Sequence, residues 1–231
     1  MQALRLDVTN PQDIAAAVAT LKKAGRGLDG LVNNAGIGTL DTIVGGSDEE
    51  FDRAMAVNVY GPYRVTKAFA PLIIANKGRI TTIGSISGVL ASGISAAYAM
   101  SKHAMEAFTD SLAQEMASQG VLVSIVEPGT YNSEISRNAL ARSARDRHDG
   151  PDRSMYPQPE DVALAVEDAL FGARPKRRYL VVPVEGEARV VIQKQLAQLV
   201  ELNEGHRYTY DRDALVKMLD ETLQGSRPRT K

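Results

Sequence analysis

Cysteine is absent from the sequence, and with it any disulfide framework, thiolate nucleophile or zinc–thiolate site. A reducing compartment suits such a chain, and the cytoplasm is the expected location. No stretch approaches the roughly 18 uninterrupted apolar residues that span a bilayer, and the first residues lack the basic-then-apolar layout of a signal peptide. A soluble protein with no membrane span is expected. The net charge of −1 and pI near 6.3 leave no global excess of positive charge to draw nucleic acid or an anionic membrane. Histidine is scarce too: His103, His148 and His206 sit singly, without a second ligand at metal spacing, so no metal site is assigned. The basic run "RPKRR" at 174–178 leads into a strand-length segment and reads as a solvated entry, not a nucleic-acid patch.

What is present is an alternation of strand-length apolar runs with helical periods. "ALRLDV", "LDGLVNNAG", "GRITTIGS" and "VLVSIVEPG" read as strands. Between them, "PQDIAAAVATLKKAG", a stretch from Asp48 to about Val57, "YGPYRVTKAFAPLIIANK" and "AAYAMSKHAMEAFTDSLAQEMASQG" read as helices. Such βαβα order predicts a Rossmann-like, doubly wound α/β fold: parallel strands joined by crossover helices that cover both faces. The central strands turn small and polar at their C-terminal ends, at Asn33–Gly36, Gly84–Ser85 and Pro128–Gly129, where open α/β sheets bind ligands.

The length suits a single domain over 1–231. Within it, residues 133–158 form a polar stretch expected to be a substrate-lid loop, and 187–231 a C-terminal helical extension. Arg137, Arg142, Arg145, Arg147 and Arg153 in the lid could meet an acidic substrate, although Asp146, Asp149 and Asp152 offset them. A further helix from Pro159–Glu160 and a strand at "RRYLVVP" are also expected.

The sharpest chemical signal is "YAMSK", because Tyr98 and Lys102 share one helix face. Spacing alone favours a solvated surface pair. Ser85 at the end of "ITTIGS", Asn58 in "NVYG" and the small-residue turn "NNAG" turn the pair into a constellation.

With these motifs in order, Asn33–Gly36, Asn58–Gly61, Ser85–Gly88 and Tyr98–Lys102, the chain resembles the short-chain dehydrogenase/reductase family over nearly its whole length. Pro128–Gly129 matches the family's Pro-Gly, and Ser133 stands where the family has threonine. The resemblance implies an NAD(P)-dependent oxidoreductase that moves a hydride between NAD or NADP and a secondary alcohol or ketone of lipid-like or other apolar character. It implies a catalytic set of Asn58, Ser85, Tyr98 and Lys102, with Asn58 holding a water that links Lys102 to solvent. It implies cofactor contacts at Asp7, Val8, Asn34, Ala35, Gly36, Tyr98, Lys102, Pro128, Gly129, Tyr131 and Ser133. A homodimer or homotetramer built on the helices of "YGPYRVTK" and "YAMSK" is implied as well.

Elementary chemistry supports this assignment. Reducing a carbonyl needs a proton donor at its oxygen and a polar group to hold it, roles that suit Tyr98 and Ser85. An ammonium about 5 Å from a phenol contributes roughly 3 kcal/mol at an effective dielectric near 20, about two pKa units toward a usable acid–base range.

The sequence departs from the family at the pyrophosphate turn, since no Thr-Gly-x-x-x-Gly-x-Gly is present. "LRLDV" then corresponds to the family's third strand, and the first βαβα unit is lacking. In the order 3-2-1-4-5-6 that strand would lie roughly 14 Å from "GLVNNAG", at about 4.8 Å per strand. Three explanations stand: a misplaced start or a fragment, residues supplied by another chain or a rearranged edge, and a relative without cofactor. The competing reading is a silent member of the fold that binds a partner or oligomerises.

Overall fold

The computed structural model describes residues 3–142 and 155–226. The chain divides into two compact units, Met1–Val191 and Ile192–Lys231, where a single domain is expected from the sequence.

The first unit contains one four-stranded parallel sheet in the order β1 (Gly30–Asn33), β2 (Arg79–Ile83), β3 (Leu122–Pro128), β4 (Arg178–Val181). Strand alternation sends Ile80 and Val123 to one face, where they pack with Ile73 of α3 (Gly61–Asn76) and Leu112, Ala113 and Met116 of α4 (Ala96–Ala117). Val126 points to the other face, against Ala165 and Ala169 of α6 (Glu160–Phe171). The sheet is therefore Rossmann-like, parallel and covered by helices on both sides.

The predicted first strand does not form. Residues 3–8 have no strand pairing, and among the described residues β1 pairs with β2 alone. A strand is held by ladder hydrogen bonds to a neighbour, and here none is available. Its apolar side chains are still used: Leu6 and Val8 pack against Ile14, Ala17, Val65 and Phe69, between α1 (Pro11–Ala24) and α3. A Cβ on Gly61 would come within 2.7 Å of Val8 Cγ2, so glycine is what lets this segment approach α3.

α1 needs no neighbour to close its own hydrogen bonds. The Asn10 side chain accepts from the amides of Gln12 (2.9 Å) and Asp13 (3.4 Å), Pro11 opens the helix, and Gly25 ends it at φ 71°.

The expected lid loop needs correcting over its first third, where α5 (Glu134–Arg142) is helical. The signal for it is Ile135 and Ala139, one turn apart, which both lie against Gly38. Arg137 pairs with Glu134, while Arg142 donates to the Gly38 carbonyl (2.7 Å) and faces Glu50 (3.5 Å). These two arginines are thus engaged within the protein. Arg145, Arg147, Arg153, Asp146, Asp149, Asp152 and His148 lie outside the described residues.

α7 (Glu185–Asn203) and α8 (Arg212–Ser226) occupy the C-terminal extension. Within the second unit, the Asn203 amide brackets Tyr210, accepting from its N–H and donating to its C=O, both at 2.9 Å. No helix among the described residues is long and apolar enough to cross a membrane.

Candidate functional site

The site lies at the carboxyl ends of β1, β2 and β3. β1 delivers Asn33, which is buried and donates to Thr66 Oγ1 (2.9 Å), and then releases Asn34, Ala35 and Gly36 as an exposed turn. β2 delivers Ser85, a buried residue whose Oγ accepts from the Ser87 amide (3.0 Å) and opens the short 3₁₀ turn Ile86–Gly88.

Asn58 sits in a π-helical turn, Ala56–Tyr60, inserted between α2 (Asp48–Met55) and α3. Such insertions recur at functional sites because they re-aim side chains. Its buried amide accepts from Ile37 N (2.8 Å) and donates to Ile37 O (2.8 Å) and Ser101 Oγ (2.9 Å). Both amide protons are therefore committed to protein acceptors. Any water in a relay would have to be met by a lone pair or by the backbone here.

Tyr98 is fixed from two directions. Its amide donates to the buried Thr39 Oγ1 (3.2 Å), and its carbonyl accepts from Ser101 Oγ (2.7 Å). Neither Thr39 nor Ser101 stands out in the sequence, although Ser101 sits inside "YAMSK" between the motif's two named residues. Through them the loop after β1, the π turn and α4 form one hydrogen-bonded body.

Lys102 is buried (5% exposed), with Nζ donating to the Ile83 carbonyl at 2.8 Å and lying 5.6 Å from the centroid of the Tyr98 ring. Burial disfavours its ammonium and brings its pKa down to about 8, while the Glu106 carboxyl pulls the other way. The ammonium is thus kept at neutral pH and lost just above it. A Cβ on Gly36 would lie 3.6 Å from Asn58 Oδ1 and 3.9 Å from Lys102 Nζ, so the exposed turn after β1 stands directly over both side chains.

The Pro128–Gly129 turn is closed by a residue with no motif to mark it. Glu187, near the start of α7, accepts from Thr130 N (3.0 Å), and its carboxylate fills the space where a Gly129 side chain would be. Tyr131 is buried (4% exposed) with a hydroxyl that has no hydrogen-bond partner among the described residues, and burial pushes its pKa up. Ser133 is half-buried.

The N-terminal members of the expected cofactor set stand apart. Asp7 Oδ1 accepts from Thr9 N (2.8 Å) and Thr9 Oγ1 (2.7 Å), bonds that hold its carboxyl below the usual range. Val8 packs on Gly61. Neither sits on a strand end, because residues 3–8 form no strand. Outside the constellation, His103 is exposed with Nδ1 at 2.9 Å from the Ala99 carbonyl, and His206 Nδ1 accepts from Tyr208 N (3.0 Å).

A cavity of about 600 Å³ opens beside α4, on the face next to that of Tyr98 and Lys102. Ile43, Val44, Ala91, Ala99 and Met100 give it an apolar lining, and His103 lies at its edge.

Comparison with known proteins gives these features a family. The model of the short chain dehydrogenase family matches residues 1–144, more than half of the chain. The chain is 39% identical over 140 residues to the mitochondrial D-beta-hydroxybutyrate dehydrogenase of Rattus norvegicus, covering 59% of this chain and 41% of that protein. It is 40% identical over 134 residues to retinol dehydrogenase 5 of Mus musculus, covering 57% and 42%. The matches thus span about two fifths of the length of these relatives. Among solved structures, a short chain dehydrogenase from Burkholderia cenocepacia in complex with NADP superposes with a TM-score of 0.68 at 25% identity, over 87% of this chain and 78% of that one. The parallel sheet, the ordered motifs and the match over residues 1–144 agree: the chain belongs to the short chain dehydrogenase family.

Proposed function

We propose that this chain carries the acid–base half of a nicotinamide-dependent oxidoreductase acting on a secondary alcohol or ketone of apolar character. The observation that carries the reading is Lys102: a buried lysine, charged at neutral pH but readily deprotonated just above it, standing by the Tyr98 ring and beneath the Gly36 turn.

The residues present suit the nicotinamide-ribose half of such a cofactor. The exposed Asn34–Gly36 turn, whose Gly36 has no side chain, lies beside Lys102 Nζ, whose ammonium is a donor for ribose hydroxyls. NAD or NADP would supply the hydride when bound. The two relatives named above are dehydrogenases, and the Burkholderia cenocepacia structure holds NADP, which supports the cofactor class.

In this reading the side chains divide the work. Tyr98 gives its phenolic proton to the carbonyl oxygen in reduction and takes the alcohol proton in oxidation. Ser85 donates a hydrogen bond to the same oxygen. Lys102 favours the tyrosinate by its charge and so lowers the cost of losing that proton. Asn58 holds Ile37 and Ser101, and through them the Tyr98 backbone, in a single geometry. The apolar cavity beside α4 supports a substrate with a hydrocarbon body. The exposed Tyr60 of the π turn, Tyr63 of α3 and Met100 of α4 support a homo-oligomer formed through those helices, and the absence of cysteine suits the cytoplasm.

A steady-state assay with a ketone panel and both reduced nicotinamides tests the reading. Turnover is expected with at least one apolar ketone, and Tyr98→Phe is expected to lower it by roughly 10³-fold or more. Undiminished turnover in Tyr98→Phe would overturn the role of the phenol. No turnover with any pair would favour the alternative of a silent, partner-binding member of the fold.

A further inference from the structure

α4 carries a ladder of polar side chains one turn apart: Tyr98, Lys102, Glu106 and Asp110. The lower half of that ladder is a charged cluster the proposed chemistry does not use. Glu106 and Glu127, the penultimate residue of β3, set their carboxyl groups against the same nitrogen, Nε of Arg178. Oε1 of Glu106 and Oε1 of Glu127 are both sealed from solvent, and no N–H or O–H among the described residues donates a hydrogen bond to either.

The charges facing this pair come from each element packed around it. From β4, Arg178 Nε lies 3.1 Å from Glu106 Oε2 and 3.5 Å from Glu127 Oε1, while its Nη2 is 2.7 Å from Asp110 Oδ2. Arg177 adds a longer contact to Asp110, 3.8 Å. From α4 itself come Lys102 above and Asp110 below. The 3₁₀ turn contributes only Gly88, whose missing side chain leaves room for the Glu106 carboxyl: a Cβ there would lie 2.9 Å from Oε1.

One guanidinium therefore serves three carboxylates, and two of them, Glu106 and Glu127, each hold an oxygen sealed from water. Two bare carboxylates set against one guanidinium nitrogen, each with a sealed oxygen that no donor reaches, repel strongly in a low-dielectric setting, and a proton on one of them relieves both the repulsion and a missing hydrogen bond.

We propose that Glu106 and Glu127 hold one proton between them and act as a positioning pair for Lys102, so that the charge of the pair governs how far pH can rise before the lysine loses its ammonium. The inference rests on the role given above to Lys102. Burial and the neighbouring Glu106 push Glu127 up to about 7, and burial raises Glu106 as well, so the shared proton leaves across the physiological range. Its departure adds negative charge one turn from Lys102, which strengthens the hold on the ammonium as the solution becomes more basic. The cluster thus opposes the effect of burial on the lysine.

The test is a pH titration of the full chain by carbon NMR, reading the glutamate carboxyl carbons and the Lys102 Cε, with no assay of turnover. The wild type is expected to show one carboxyl step near neutral pH, and Glu127→Gln to lack it. Glu106→Gln is expected to move the Lys102 midpoint down by about one pH unit, a roughly tenfold loss of proton affinity. Carboxyl steps that all fall in the ordinary acidic range would overturn the shared proton, even if neither variant folds. A Lys102 midpoint unmoved in folded Glu106→Gln would overturn the coupling. A chain that titrates as stated yet turns over no ketone would refute the proposed activity alone.

Discussion

Residues 3–8, "ALRLDV", and residues 79–83, "RITTI", are both strand-like in composition, yet only the second becomes a strand. Arg79–Ile83 lies between β1 and β3 and bonds to both. Residues 3–8 have apolar contacts to α1 and α3 but no ladder. The difference is in the neighbours: β structure is a property of a pair, whereas α1, next along the chain, forms from its own cap and its own hydrogen bonds. The two segments accordingly end in different surroundings. The end of β2 leads to Ser85 and receives the Lys102 hydrogen bond, in a body tied by several buried bonds, while the end of residues 3–8 leads to an exposed Asp7 tied to residues close by in the chain, Thr9, Asn10 and Asp13.

The comparison is sharpened most by removing groups from the tied side. Lys102→Met keeps the volume and deletes the ammonium. Turnover in the proposed reaction is expected to fall about 10²–10⁴-fold, the range for losing a positioned proton-transfer group. The urea midpoint should stay level or rise at pH 7, because below pH 8 the folded chain bears the cost of a desolvated charge that the variant lacks. Asn58→Ala comes next, with about 2–4 kcal/mol lost in urea unfolding, since it strands the Ile37 N–H and C=O and a Ser101 partner in a buried site.

Legibility in the sequence divides along the same line. The four strands of the sheet and the helices over it are readable from apolar periodicity, and Ser85, Tyr98 and Lys102 from their spacing on elements so located. Ser101 and Thr39 are not, because a hydroxyl that fixes a backbone has no pattern of its own. Glu187 escapes for a related reason: it reaches the Pro128–Gly129 turn from a helix nearly sixty residues on, a proximity that only β4 and its turn create. The "ALRLDV" segment is mistaken for a strand because periodicity reports which face is apolar and says nothing about whether a partner is present. α5 is obscured because its apolar residues, Ile135 and then Ala139 to Ala141, are too few to set a helical period among the polar residues around them.

A third prediction concerns pH. Glu127 has a folded pKa of about 7 against an ordinary 4.5, so its contribution to stability is full below pH 4.5 and is lost as pH rises through 7. Glu127→Gln, which cannot ionise, should gain about 2 kcal/mol relative to the wild type between pH 4.5 and pH 8. Paired denaturant curves at the two pH values measure it, and a constant difference between the proteins would mean that the carboxyl pair carries no shifted proton.

The smallest effects belong to the untied side. Asn10→Ala removes the side chain that accepts from Gln12 and Asp13, and should cost about 1 kcal/mol, seen as faster amide exchange in α1 with β2 and β3 unchanged. Asp7→Asn should do less still. The Asp7 carboxylate is exposed, its one side-chain partner Thr9 is near in sequence, and surface substitutions of this kind stay within about 0.5 kcal/mol. A loss of about 2 kcal/mol or more in Asp7→Asn, measured in the same urea series, would break the comparison. It would mean that residues 3–8 are anchored as firmly as the paired strands, by something other than the local bonds and the packing of Leu6 and Val8 that account for them here.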